Sequence, residues 1–102
     1  MANAPEILIV EDDPQIRRFL RATLAAEQFR YHEAVTAAEG IAQAQARQPD
    51  LVLLDLGLPD QDGLEVIRVI RRSSQVPIIV LSARGQEKDK IEALDTGADD
   101  FV

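Results

Sequence analysis

Acidic and hydroxyl side chains follow three apolar runs of this sequence, at the point where each run ends. Glu11 and Asp12 follow the first run, Asp55 the second and Ser82 the third. Carboxylates that lie close together repel one another, which raises their pKa values unless a cation compensates. Mg²⁺ suits such a cleft because it takes one or two carboxylates, keeps several waters and completes its shell with phosphate oxygens. The pattern indicates a Mg²⁺-dependent phosphate reaction in which Asp55 is the nucleophile and forms an acyl phosphate, with Ser82 binding the phosphoryl oxygens.

Five strands are predicted to position these side chains. Ile7–Val10, Leu51–Leu54 and Val76–Leu81 are continuous apolar runs, which is typical of strands buried on both faces of a parallel sheet. A shorter strand is expected at Arg30–Val35, and Phe101 begins a fifth. With helices between the strands, the order βαβαβαβα predicts an open, doubly wound α/β sheet. Ligands bind such sheets beyond the carboxyl ends of the strands, so Glu11, Asp12 and Asp55 should converge if the first and third strands are neighbours.

The first helix is predicted to begin at Pro14, with Asp13 as its N-cap, and to run to about Glu27 or Gln28. Its apolar positions repeat at the spacing of one helix face: Ile16, Phe19, Leu20, Thr23 and Leu24.

Three more helices follow from capping and breaking signals. The second lies between the capping box Thr36-Glu39 and Pro49, the third between Asp62-Gly63 and Ser73-Ser74, and the fourth covers Glu87 to Thr96 before Gly97. In the fourth helix, Ile91 and Leu94 are expected to point inward.

Length and composition exclude several classes of function. The chain has 102 residues, of which 46% are hydrophobic and 28% charged, as in one soluble globular domain. The net charge of 11 − 18 = −7 repels nucleic acid and anionic lipid. The absence of Cys and the single His32 exclude thiolate chemistry and multi-histidine metal sites. The apolar runs are too short to cross a bilayer and no signal peptide is visible, so a cytoplasmic location is expected.

Several of these polar residues also have simpler interpretations. Asp13 is better explained as a helix cap than as a metal ligand. Glu11 or Asp12 alone could be a solvated loop acid, and Ser82 alone could be a turn hydroxyl. The coincidence of the acidic pair with Asp55 favours the site. The remaining polar positions are assigned to structure: His32 to the surface or sheet edge, and Asp60, Asp62 and Gly63 to the turn and start of the third helix.

Four motifs in this order carry a resemblance to a known family. They are ILIVEDDP at 7–14, LDLGLPDQDG at 54–63, IVLSA at 79–83 and GADDF at 97–101. The chain resembles the receiver domain of bacterial two-component response regulators, in the subgroup whose receiver precedes a winged-helix DNA-binding domain. The resemblance implies one flavodoxin-like receiver domain over residues 1–102, with strand order 2-1-3-4-5.

The resemblance also implies roles for the acidic residues. Asp55 matches the position that accepts a phosphoryl group from the phosphohistidine of a partner kinase. Asp12 and Asp55 match direct Mg²⁺ ligands, with the backbone carbonyl of Gly57 as the third protein ligand. Glu11 would act through metal-bound water.

Switching and dimerisation are implied in the same way. Ser82 matches a hydroxyl that moves toward the phosphoryl group, and Phe101 matches an aromatic switch residue that would work here by ring burial alone. A two-fold receiver dimer would use charged residues of the fourth helix and fifth strand: Lys90, Asp95, Asp99 and Asp100.

The sequence departs from the family where it stops. The family's phosphate-binding lysine and last helix come after the position of Val102. We therefore expect a truncated stretch of a longer regulator, with weak signalling, an uncovered apolar strip of sheet and a doubtful dimer. Any contact with DNA is expected only through an output domain that this sequence does not contain.

Two other functions compete with the signalling switch. One is a Mg²⁺-dependent phosphohydrolase with an aspartyl-phosphate intermediate, but Gly57 stands where the haloacid-dehalogenase group carries its second Asp. The other is a noncatalytic interaction module that has kept the fold. The intact set of Glu11, Asp12, Asp55 and Ser82 argues against it for the parent protein, whereas the missing lysine leaves it open for this stretch.

Overall fold

The computed structural model describes residues 4–81 and 87–102, which form one parallel sheet with helices on both faces. The elements in chain order are β1 (Glu6–Val10), α1 (Pro14–Ala26), β2 (Arg30–Ala34), α2 (Ala37–Arg47), β3 (Leu51–Leu54), α3 (Gly63–Arg71), β4 (Ile78–Val80), α4 (Glu87–Thr96) and β5 (Asp100–Phe101). The strands lie in the order β2-β1-β3-β4-β5 and every neighbouring pair is parallel. The predicted α/β class and strand order are confirmed.

Alternate side chains of the strands pack on opposite faces of the sheet. Leu8 and Val10 of β1 lie in the main core, to which α2, α3 and α4 contribute. Ile7 and Ile9 lie in a smaller cluster with Leu24 of α1. The continuous apolar runs in the sequence are explained by this burial on both faces.

Capping side chains set the starts of three helices as predicted. Asp13 accepts hydrogen bonds from the first turn of α1, Thr36 from Glu39 N of α2, and Asp62 from Leu64 N of α3. Helix α2 ends at Arg47, two residues before Pro49. Gln48 caps it in a left-handed conformation with φ of 47°, and its N–H donates to Ala44 O.

Only part of the predicted apolar face of α1 is buried. Leu24 is 8% exposed and packs on the sheet, whereas Ile16 is 41% and Phe19 69% exposed. The C-terminal half of the helix meets β1 and the half-buried Tyr31 of β2, and in the described ranges nothing comparable covers its N-terminal half. Residues on the same face of α1 are therefore buried to very different extents.

The prediction that Ile91 and Leu94 point inward is wrong. They are 53% and 37% exposed, and the side of α4 that meets the sheet carries Asp89 and Ala93 instead. Ala93 is fully buried, because a small side chain lets the helix lie close to the core. Gly97 ends the helix as predicted, with φ of 133°.

Candidate metal and phosphoacceptor site

The strand register brings the acidic residues together at one edge of the sheet. Val10 and Leu54 are paired across β1 and β3, so the residues that follow them leave the sheet side by side. Asp55 N donates to Val10 O at 2.9 Å and Glu11 N donates to Ala34 O at 3.0 Å, which extends the ladder beyond both strands.

Three carboxylates converge there as the sequence predicted. One carboxylate oxygen of each of Glu11, Asp12 and Asp55 lies within 4.8 Å of the others. Glu11 is buried, Asp12 is exposed and Asp55 is half-buried, so the cluster opens to solvent on one side. Such a set of oxygen donors fits a hard divalent cation such as Mg²⁺.

The environment of Glu11 favours its protonated form. Burial raises the pKa of Glu11 to about 7, and the negative charges of Asp55 and Asp12 add to this effect. A hydrogen bond from Asp13 N to Glu11 Oε2 at 3.0 Å acts in the opposite direction but does not outweigh burial. A cation at the cluster would supply the compensating charge that the three carboxylates lack.

The loop from Leu56 to Asp62 is held tightly against the phosphoacceptor candidate. Gly57 forms an isolated antiparallel bridge with Asp62, and Gly63 N donates to Leu56 O at 2.9 Å. A Cβ on Gly63 would lie 2.7 Å from Asp55 O, which requires glycine at this position. The loop thereby places the exposed Gly57 close to Asp55, since a Cβ on Gly57 would lie 3.6 Å from Asp55 Oδ2.

Asp60 lies in the turn before α3 as expected, but its carboxylate also caps α2. Asp62 and Gly63 do form the start of α3, but the Asp60 carboxylate accepts hydrogen bonds from Ala37 N at 2.8 Å and Ala38 N at 3.0 Å. These bonds lower the pKa of Asp60. Asp60 therefore joins the loop beside Asp55 to the first turn of α2, a tertiary contact that no local pattern encodes.

Arg17 also contributes to the site although sequence reasoning missed it. Its guanidinium donates to Glu11 O at 3.2 Å and Asp12 O at 3.0 Å. An arginine on the first turns of a helix is ordinary in a sequence, so no signal separated it from its neighbours Arg18 and Arg21.

The other predicted residues have varied placements. Ser82 lies outside the described residues. Phe101 ends β5 and is partly buried against the main core. His32 lies on the edge strand β2 as predicted, with Nε2 3.3 Å from Glu6 Oε2.

The residues assigned to a dimer face differ in their contacts. Lys90, Asp95 and Asp100 are exposed on α4 and β5. Asp99 pairs with Arg71 within the chain at 2.9 Å and also accepts from Ile78 N at 2.8 Å. An intersubunit role for Asp99 stays a prediction.

The family model of the response regulator receiver domain matches residues 7–102, and the chain belongs to that family. It is therefore part of a signalling switch and not a classical enzyme. The KDP operon transcriptional regulatory protein KdpE of Escherichia coli K12 is 57% identical over 96 residues, which cover 94% of this chain and 43% of that protein. The chain thus spans less than half the length of this curated relative.

Solved structures agree with the fold. A response regulator from Chloroflexus aurantiacus superposes with a TM-score of 0.92 at 27% identity, covering 98% of this chain and 84% of that one. The receiver domain of a sensor histidine kinase from Pseudomonas aeruginosa PAO1 superposes with a TM-score of 0.89 at 30% identity, covering 97% and 84%. That structure holds a magnesium ion in its active site cleft.

Within the parts of the chain that the structure describes, no helix combines the length and apolar character that a bilayer span needs.

Proposed function

We propose that Asp55 accepts a phosphoryl group from a histidine kinase at a Mg²⁺ site formed by Glu11, Asp12, Asp55 and the backbone carbonyl of Gly57. The observation that carries this proposal is the convergence of three carboxylates within 4.8 Å at the carboxyl ends of two neighbouring strands. The magnesium ion in the cleft of a structurally similar receiver domain supports the choice of metal.

The partial exposure of Asp55 suits the transfer. A carboxylate oxygen of Asp55 attacks the phosphorus of a phosphohistidine, and the bond from phosphorus to the imidazole nitrogen breaks. Asp55 is half-buried, so its carboxylate can meet a donor from solvent while its backbone is fixed by β1. Bound Mg²⁺ supplies positive charge that offsets the acidic cluster and the phosphoryl oxygens. In this proposal Asp12 would ligate the ion directly, and Glu11 would act through metal-bound water.

We infer that the switch acts on Ser82 and Phe101. The phosphoryl group would attract the Ser82 hydroxyl, and the shift of the following segment would repack the Phe101 ring. The partial burial of Phe101 against the main core supports this proposal, because a small displacement of β4 or β5 changes the space available to the ring. Phenylalanine carries no hydroxyl, so the response would depend on burial alone.

We further propose that the chain is the receiver of a longer cytoplasmic transcriptional regulator. The 57% identity to KdpE, a transcriptional regulatory protein of the KDP operon, supports control of potassium-uptake genes. DNA would be bound by an output domain, because the receiver carries a net charge of −7.

A homodimer through α4 and β5 is proposed for the activated regulator. Ile91 and Leu94 expose apolar side chains on α4, and the exposed Lys90 and Asp95 of the same helix and Asp100 of β5 carry both signs of charge. An apolar centre with a charged rim is the usual composition of a protein interface. The charge pairs on the partner copy would come from the family's last helix.

Phosphorylation of the full-length regulator tests the central proposal. A small phosphodonor with Mg²⁺ should label the wild type, and the label should disappear in Asp55→Asn and after chelation of Mg²⁺. Asp62→Asn is the matched control, because it changes an acid of the same loop that caps α3. Label retained in Asp55→Asn would refute the assignment, and repeated turnover of a phosphate monoester would revive the phosphohydrolase.

A further inference from the structure

We propose that Arg17 is a positioning residue that fixes the backbone of Glu11 and Asp12 in the geometry that binds Mg²⁺. This inference rests on the proposed function of the acidic site and adds to it a residue outside the acidic cluster. One guanidinium nitrogen of Arg17 donates to the carbonyl oxygens of both acidic residues, at 3.2 Å and 3.0 Å.

The guanidinium is itself held from its other side. Arg17 Nε lies 3.3 Å from Glu33 Oε1 on β2, and Arg21 donates to both oxygens of the same carboxylate at 3.2 Å and 3.1 Å. The side chains of Arg17 and Glu33 are only 20% and 24% exposed. Arg17 therefore connects the acidic loop to a fixed point on the sheet, through a planar group that loses little freedom on binding.

The loop needs such support at Asp12. Glu11 is buried and its N–H bonds to Ala34 O, so the sheet fixes the start of the loop. Asp12 is exposed, and the orientation of its side chain depends on the two peptide units that flank it. Arg17 donates hydrogen bonds to the backbone carbonyl oxygens of both Glu11 and Asp12. Small displacements of ligand groups weaken metal binding, so a group that orients them contributes to affinity.

The charge of Arg17 and its hydrogen bonds predict opposite effects on Mg²⁺ binding. A positive charge beside a cation site opposes cation binding, so if Arg17 acted by charge alone, its removal would strengthen Mg²⁺ binding. Positioning predicts that its removal weakens binding. The sign of the change therefore separates the two roles.

Arg21 provides a matched control. It carries the same charge, pairs with the same Glu33 carboxylate and lies one turn further along α1, and its hydrogen bonds go to Glu33. Arg21→Ala removes one of the two partners of Glu33 while leaving the bonds from Arg17 to the acidic loop in place.

The test is a Mg²⁺ titration of the full-length regulator, followed by NMR or calorimetry well below the unfolding temperature. We expect Arg17→Ala to raise the dissociation constant for Mg²⁺ about tenfold and Arg21→Ala to leave it within about twofold of the wild type. Arg17→Lys should lie between the wild type and Arg17→Ala, because an ammonium can still donate to the two carbonyls. Thermal unfolding of the variants checks that each is folded at the temperature of the titration.

The possible outcomes are distinguishable. Equal or tighter Mg²⁺ binding by Arg17→Ala, or tighter binding by Arg17→Ala than by Arg17→Lys, would overturn the positioning role and leave the site itself intact. A wild type that binds no Mg²⁺ would overturn the proposed function together with this inference. Weak binding in Arg17→Ala with normal binding in Arg21→Ala is the supporting result.

Discussion

The acidic site and the exposed face of α4 differ in how firmly their side chains are held by the rest of the chain. At the carboxyl ends of β1 and β3, backbone ladders, helix caps and Arg17 fix each loop, and a glycine allows α3 to begin directly against Asp55. On α4, two large apolar side chains are left to solvent and the buried surface is provided by Asp89 and Ala93. The proposed phosphoryl transfer needs ligands held within fractions of an ångström, whereas the proposed dimer surface needs accessible apolar area.

The difference lies also in how each region uses its charges. The acidic site buries one of its three carboxylates, and this burial, together with the negative charges of Asp55 and Asp12, raises the pKa of Glu11. The α4 face mixes Lys90 with Asp95 at the surface, where such charges cost little. Perturbations should therefore have large effects at the site and small effects on α4.

The largest effect is expected from the ionisation of Glu11. Its pKa rises from 4.5 to about 7 on folding, so the folded protein retains a proton that the unfolded chain has lost. Without metal, stability should fall as pH rises from about 4.5 through 7, by up to about 3 kcal/mol from this group. Urea unfolding of the wild type and Glu11→Gln in EDTA at pH 5 and pH 8 measures this. Identical pH dependence in the two proteins would contradict the expectation.

The next effect concerns the contact between α3 and Asp55. In Gly63→Ala, the new Cβ would lie 2.7 Å from both Asp55 O and Leu56 Cα, which are backbone atoms that cannot move separately from the site. We expect a loss of about 2 kcal/mol in the free energy of unfolding and a displaced carboxylate at Asp55. The control is Gly57→Ala, whose Cβ would lie 3.6 Å from Asp55 Oδ2, an ordinary contact. Denaturant unfolding should show little change there, and equal losses in the two variants would reject the steric explanation.

A smaller effect is expected at the start of α2, where the side chains of Thr36 and Asp60 both accept hydrogen bonds from the first turn. Thr36→Ala should cost about 1 kcal/mol of stability by removing the acceptor for Glu39 N. Asp60→Ala also removes a cap, but it additionally releases the loop that carries Gly57. We expect only Asp60→Ala to weaken Mg²⁺ binding, by about threefold. Equal Mg²⁺ dissociation constants in the two variants would show that the loop is held without Asp60.

The fold and the acidic cluster could both be predicted from the sequence, for a physical reason. Continuous apolar runs indicate strands buried on both faces, and residues after such strands must meet at one edge of the sheet. Asp13, Thr36 and Asp62 cap their own helices, so the evidence for each is local. These features depend on spacing that the sequence displays directly.

The contacts of Arg17 and Asp60 could not be predicted because each depends on where distant elements pack. Asp60 bonds to Ala37, which lies far away in the chain, and Arg17 reaches Glu33 on another strand. The error on α4 has a different origin. Helical spacing and hydrophobicity predicted Ile91 and Leu94 to be core residues, but exposed apolar side chains can follow the same helical spacing as buried ones.

The smallest effect on stability and the clearest test of the α4 face come from the same substitutions. Ile91 is 53% and Leu94 37% exposed, so Ile91→Ser and Leu94→Ser should each change the free energy of unfolding of the monomer by less than about 1 kcal/mol. If the face serves the proposed dimer, sedimentation of the phosphorylated full-length regulator should show weaker self-association in both variants. Glu92→Ser, an exposed polar position on the same helix, is the control and should associate like the wild type. Large losses of monomer stability would instead place Ile91 and Leu94 in a core. The contrast between the two regions would then disappear, because apolar residues buried within the subunit cannot also form the centre of an interface.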